Sequence, residues 1–267
     1  MNYSLEQIEI AAWRDFYLAA VELPNNPLDI RVVDLDDAIA TVFPSSNVLA
    51  MNRVIGLGTK RPISADSLKR IIDIYHQAGV SRFFVQLHPA TLTSEATAVL
   101  AECDLQHYNN WVKLSRPAEP LKRVTTELTV KEIGPDEAEP FARIVGDSFG
   151  WDEPFLIWGK ALVGRSGWRF YMAYDGDEPV ATGGFYLADK IAWIDFAATK
   201  ETHRGRGAQS ALLKRRIDDA ISMGCEQLVV ETAEQTSEKE APSYRNMIRY
   251  GFTEAYVRPN YIYEFEE

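Results

Sequence analysis

Residues 191–221, IAWIDFAATKETHRGRGAQSALLKRRIDDAI, read as a strand, a glycine-rich turn and a helix in immediate succession. From 191 to 199 the chain is apolar with Asp195 set into it, the pattern of a largely buried strand, and the polar run 200–206 breaks it. The period then changes. Leu213, Ile217, Ala220 and Ile221 recur at helical steps, with Lys214, Arg215, Arg216, Asp218 and Asp219 between them. Gly205 and Gly207 therefore stand at a helix entrance, where glycine permits a left-handed backbone and close approach of another group. The first helical N–H groups lack internal partners, and the helix dipole favours an anion there. Arg204, Arg206, Lys214, Arg215 and Arg216 fall between positions 204 and 216, a stretch without a carboxylate, in a chain of net charge −11. An anion-binding site is the expectation.

A nucleoside-triphosphate loop would need Lys-Ser/Thr after its second glycine, which is absent. The dinucleotide fingerprint comes closer, with Gly205, Gly207 and Ser210 at its spacing and Glu231 ending the next strand. Too little chain follows for the further βαβ units that fold requires. The run Arg204-Gly205-Arg206-Gly207-Ala208-Gln209 resembles the R/Q-x-x-G-x-G/A pyrophosphate loop of the GNAT N-acetyltransferase superfamily, with Gln209 where that family usually has Gly or Ala. Asn246-Met247-Ile248-Arg249-Tyr250-Gly251-Phe252 resembles its helix-ending "GF" motif.

The resemblance implies acetyl-CoA as cosubstrate and transfer of the acetyl group to a primary amine of a small molecule or peptide by direct attack. Ala197, Ala198 and Thr199 would then pair with the pantetheine, and residues 204–210 would hold the pyrophosphate, with Ser243 and Asn246 facing the cofactor. Asp195, a carboxylate inside an apolar strand, is the first candidate base, and Glu231 the second. Met247 occupies the usual Tyr position and cannot donate a proton, so Tyr244, one helical turn earlier, is the candidate acid. A non-catalytic acyl-CoA-binding or partner-binding module is the alternative.

At 267 residues, 46% hydrophobic and 25% charged, the chain has room for two domains. The elements of residues 29–114 are read as strands at 29–43 and 47–58, a loop, a helix capped by Ser64 or Asp66, a strand at 82–87, a helix at 94–103 and a strand at 108–114. Residues 191–265 repeat the order of strand, loop, helix, strand, helix, strand. The expected fold is therefore α+β: two GNAT-like domains, each a mixed sheet flanked by helices, at 1–118 and 119–267, with a linker at 115–122. The first copy carries Gly56-Leu57-Gly58-Thr59-Lys60-Arg61-Pro62 at the corresponding turn and is expected to bind no cofactor. A pI near 5.0 opposes broad nucleic-acid or anionic-membrane binding. Without a membrane-length apolar run or a signal-peptide core, a cytoplasmic monomer or homodimer is expected. Cys103 and Cys225, and the four histidines, show no metal-ligand spacing.

Overall fold

The computed structural model describes residues 4–46, 48–122, 124–151 and 153–266. In chain order the elements are α1 (Ser4–Val21), β1 (Arg31–Leu35), β2 (Ala38–Val42), β3 (Arg53–Ile55), α2 (Ala65–Gln77), β4 (Arg82–Gln86), α3 (Ser94–Glu102), β5 (Gln106–Pro117), β6 (Thr129–Glu132), α4 (Ala138–Phe149) and α5 (Glu153–Leu162). There follow β7 (Trp168–Asp175), β8 (Glu178–Ala188), β9 (Ile191–Thr199), α6 (Ala208–Ser222), β10 (Gln227–Ala233), α7 (Pro242–Arg249) and β11 (Thr253–Glu264). They fall into two compact units, Met1–Leu114 with Glu231–Glu267, and Ser115–Val230. The expected boundary at 118 lies close to the first of these divisions, but β11 folds with the first unit.

In the first unit the strand order is β1-β2-β3-β4-β11-β5. β11 runs antiparallel to β4 with Asn260 opposite Gln86 and Tyr263 opposite Phe83, while β3 and β4 are parallel. Alternation along β11 sends Tyr261 and Tyr263 into the apolar core with Phe83, Val85 and α2, and buries Arg258 and Asn260. Helix α2 forms as its sequence dictates. Ser64 and Ser67 exchange a capping box, Leu68, Ile71 and Tyr75 are buried, and Gly79 takes the left-handed turn that ends the helix. Tyr75 stacks on Phe83 at 4.1 Å.

Three local expectations are corrected. The run 29–43 is two strands, because Asp36 adopts a left-handed conformation and closes a hairpin between β1 and β2; of the expected strand 47–58 only β3 is extended, and Asn47 lies outside the described residues. Asp, like Asn, tolerates that conformation, but Asp36-Asp37 lacks the glycine that usually announces it. The proposed linker begins as strand, since β5 continues to Pro117. Arg116 is buried, donating to the carbonyls of Pro117 (3.1 Å) and Glu119 (2.8 Å), and Ala118 N–H donates to Glu226 O at 3.0 Å.

In the second unit the strand order is β10-β9-β8-β7-β6. Successive residues of β7 point to opposite faces: Phe170 meets Phe141 of α4, and Tyr171 donates to Asp219 of α6 at 2.9 Å. The sheet is thus sandwiched between α4 and α6. β10 runs parallel to β9 and pairs with it at Gln227↔Ile191, Leu228↔Ala192 and Val229↔Trp193. Gly183 and Gly184 keep the middle of β8 thin. A Cβ on Gly184 would lie 2.7 Å from Phe170 Cδ1 and 3.2 Å from the Arg169 carbonyl oxygen. Gly184→Ala is therefore expected to lower the urea midpoint, with a stability loss of about 1–3 kcal/mol and little change in the slope of the transition.

Candidate functional site

Strand β9 is irregular where the chemistry is expected. Its pairing with β8 passes from Gly184↔Asp195 to Thr182↔Ala198, so Phe196 and Ala197 stand opposite the single residue Gly183. This is a β-bulge. Phe196 has φ +55°, a strained value for an aromatic residue, and its ring is fixed against Phe141, Trp168 and Phe170. Asp195 is half-buried beside the bulge. Its carboxylate accepts from Trp193 Nε1 (3.0 Å) and from the Phe196 N–H (2.7 Å), two donors that hold it in one orientation. Ala197 is exposed, Ala198 buried and Thr199 half-buried.

Arg216 lies beneath this bulge. It was grouped above with the charges of the anion site, but it is fully buried, at the helical step that follows Leu212 and precedes Ala220. Its Nη1 donates to Asp195 O (3.2 Å) and Gly184 O (3.3 Å), and its Nε to Leu212 O (3.2 Å). Gly183 makes the room, since a Cβ there would lie 2.8 Å from the guanidinium carbon. Burial lowers the Arg216 pKa to about 10, against the pull of Asp195. Lys214 and Arg215 also leave the anion site, engaged by Asp218 and Asp219 one turn on. The leucine spacing around 216 was the available signal.

Between β9 and α6, Gly205 (φ +79°) and Gly207 (φ +84°) both take left-handed conformations, and Gly207 is the N-cap. It provides no side-chain acceptor, and the first turn of α6 has no acidic residue. Thr126 Oγ1 pins the loop by donating to Arg206 O at 2.9 Å. The exposed Arg204 pairs with Glu201, and Arg206 with Asp175, which also faces His203. Gln209 turns its amide toward the sheet, donating to Ala198 O (2.8 Å), Thr182 O (3.0 Å) and Thr199 Oγ1 (3.0 Å). Ala208 is buried, and Ser210 half-buried.

The corresponding loop of the first unit has similar glycines, Gly56 (φ +95°) and Gly58 (φ +85°), with a different occupant. Lys60 N–H donates to Asp37 Oδ2 at 3.1 Å and Arg61 N–H at 3.5 Å. A carboxylate of the chain itself takes these amides.

Glu231, Ser243, Tyr244 and Asn246 belong to the first unit. Tyr244 donates to Glu254 at 2.6 Å, which raises its pKa; Asn246 accepts from Arg249 at 2.7 Å, Ser243 is exposed, and Met247 is buried. The Glu231 side chain is held by ion pairs with Lys113 and Arg258. It is buried among charges that sequence reading missed, because they come from remote segments. Arg258 reaches Glu231 Oε2 (2.5 Å), Glu9 Oε1 (2.9 Å) and Glu9 Oε2 (2.5 Å), and Lys113 lies 2.5 Å from Glu9 and 3.2 Å from Glu231. Burial raises the Glu231 pKa against the pull of Arg258, and the charge of Glu9 adds to the rise. Burial also acts to raise Glu9, but Arg258 and Lys113 overcome it and bring its pKa down from 4.5 to about 2. Among the described residues no group of three or more His, Cys, Asp and Glu side chains is arranged to hold a metal, and no helix is long and apolar enough to cross a membrane.

Residues 132–247, which contain the bulge, the glycine loop and α6, match the model of the acetyltransferase (GNAT) family. The chain carries a GNAT acetyltransferase domain. No curated protein matches it. Among solved structures, the whole chain is similar to a GCN5-related N-acetyltransferase from Kribbella flavida, 14% identical with a TM-score of 0.64 over 100% of this chain and 97% of that one. A GCN5-related N-acetyltransferase from Sphaerobacter thermophilus is 15% identical, with a TM-score of 0.63 over 87% and 82%. A tandem GNAT protein from the clavulanic acid biosynthesis pathway, solved without AcCoA, is 13% identical, with a TM-score of 0.61 over 96% and 94%. At such identities the likeness is one of fold, and it makes this a tandem GNAT fold of the α+β class.

Removing Glu9 from its two cations leaves them undercompensated in the interior, so Glu9→Gln is expected to cost about 3–5 kcal/mol in urea unfolding at neutral pH. Because folding lowers the Glu9 pKa, its contribution is complete above 4.5 and drains away as pH falls through about 2. Glu9→Gln should flatten the wild-type loss of stability in that window; Glu231, raised by folding, acts at higher pH and in the opposite sense.

Proposed function

We propose that this chain is an N-acetyltransferase that moves an acetyl group from acetyl-CoA to a primary amine of a small molecule or peptide. The observation that carries the reading is the pair of left-handed glycines opening α6 directly after a bulged strand. Gly207 caps α6 without a side-chain acceptor and the first turn of α6 has no acidic residue, whereas in the first unit Asp37 accepts from the loop amides. Residues 204–210 would hold the pyrophosphate against the amides and dipole of α6, and Ala197, Ala198 and Thr199 the pantetheine. Acetyl-CoA supplies the acetyl group as an activated thioester. Asp195 takes the proton of the amine as its nitrogen bonds to the carbonyl carbon and the carbon–sulfur bond breaks. Trp193 Nε1 and the Phe196 amide keep this carboxylate aimed, whereas Glu231, the second candidate, is bound to two cations. Tyr244 could protonate the departing thiolate only after giving up Glu254, so Tyr244→Phe is expected to slow turnover by no more than about tenfold, below the roughly 100-fold or more of full acid–base catalysis.

A second reading, a non-catalytic acyl-CoA-binding module, draws on the buried Met247 at the usual acid position and on Gln209, whose amide takes the Ala198 carbonyl. Thermal unfolding and thiol release separate the two. Acetyl-CoA at about 100 times its Kd should stabilise the protein by about 2.7 kcal/mol, a rise of several degrees in Tm. Arg204→Ala, or Gly207→Ala with its left-handed cost of about 1–2 kcal/mol, should diminish the shift. CoA thiol released only with an amine present identifies the enzyme. A shift without release supports the binding module, and neither shift nor heat of binding would sink both.

A further inference from the structure

The first unit holds an arginine whose best recognition edge is unused. Arg53, on β3, is 1% exposed. Its Nη1 donates to Gln86 Oε1 at 3.0 Å, while Nε and Nη2 are both buried without a hydrogen-bond partner. These two atoms share one edge of the planar guanidinium and project parallel N–H bonds, the geometry that receives a carboxylate in bidentate fashion. The same edge does this elsewhere in the chain: Arg31 donates from Nε to Asp29 Oδ1 at 3.2 Å and from Nη2 to Asp29 Oδ2 at 2.6 Å. Arg53 has no such partner. Glu9 and Glu231 lower the electrostatic cost of its charge, but their close contacts are with Lys113 and Arg258.

A third donor belongs to the same place. Trp13 lies with its ring 3.4 Å from the Arg53 guanidinium carbon, and its Nε1 is also buried without a partner; Trp111 stands 5.6 Å away. Both tryptophans are half-buried, whereas the arginine they flank is buried. Buried donors normally find acceptors, and three adjacent ones without any call for an anion to complete them. The stacked ring satisfies the face of the guanidinium and leaves its N–H edge unsatisfied.

We propose that the first unit carries a receptor site for a small monocarboxylate, gripped by Arg53 Nε and Nη2, with Trp13 Nε1 as a third donor and Trp13 and Trp111 as walls. A flat organic anion suits these walls. The nearby carboxylates of Glu9 and Glu231 disfavour a doubly charged phosphate. The site is independent of acetyl transfer and does not require acetyl-CoA.

The test is isothermal titration of the full chain with benzoate and acetate, with chloride and inorganic phosphate as comparisons, and with thermal unfolding in parallel. Saturable one-to-one binding of benzoate, tighter than of phosphate or chloride, is expected. Arg53→Met should abolish it, and Arg53→Lys, which keeps the charge and loses the fork, should weaken it at least about tenfold. Trp13→Phe, which keeps a ring and loses the N–H, should weaken it several-fold. Should Arg53→Met not fold, the wild type, Arg53→Lys and Trp13→Phe decide alone. No binding by the wild type at the highest concentrations it tolerates, equal binding of phosphate and benzoate, or undiminished affinity in the folded Arg53 variants would overturn the proposal.

Discussion

The first unit depends on a buried charge constraint. Arg258 of β11 and Lys113 of β5 are both fully buried, and each cation is compensated by Glu9 of α1 and by Glu231. None of these charges is tolerable there alone, because taking an ion from water costs several kcal/mol that only close partners return. The helix, the two strands and the end of β10 are therefore interdependent. Tyr256 extends the set by donating to Glu6 at 2.5 Å, and Gln86 and Asn260 pass hydrogen bonds on to Asn109. Apolar packing on the α2 side sets how much is buried; the polar side sets the register, since a one-residue slip of β11 would turn Arg258 to the other face.

The second unit solves a similar problem with one buried cation held largely by backbone carbonyls, with Asp195 lowering the cost of its charge. Arg216 is accommodated by the missing side chain of Gly183 and by the carbonyls of Leu212, Gly184 and Asp195. It thus ties α6, whose first turn opens the glycine loop, to the two strands that flank the bulge. Gln209 makes a second tie at the other end of the bulge, at Ala198 and Thr182. Loop, helix and bulge are thus tied together by hydrogen bonds, the kind of support a site needs if its backbone is to meet a ligand without reorganising.

Legibility in the sequence followed the range of the interactions. β9, the loop and α6 were read with accurate limits because an apolar run, two glycines and a helical period are all local. The setting of Asp195 is local in the same way, as Trp193 and Phe196, which donate to it, are its neighbours in sequence. The burial of Glu231 was illegible, because a charge at a strand end looks solvated until residues 9, 113 and 258 arrive around it. Arg216 was grouped with the anion site by its charge, although its helical position is that of a core residue. The place of β11 within the first unit could not be read either. Alternation identifies a strand and its two faces, but not which strand it will join.

The position of β11 also bears on how the chain is made. It lies between β4 and β5, in the interior of the first unit's sheet, yet it follows the entire second unit in sequence. A ribosome therefore releases both neighbours of that gap long before the strand that fills it. Domains usually fold as units from the N-terminal end during synthesis. Here the contiguous second unit has all its strands first, while the earlier unit waits with two open sheet edges. Such edges invite pairing with other chains, so the interval before residues 253–264 emerge is when the nascent protein is most exposed to aggregation.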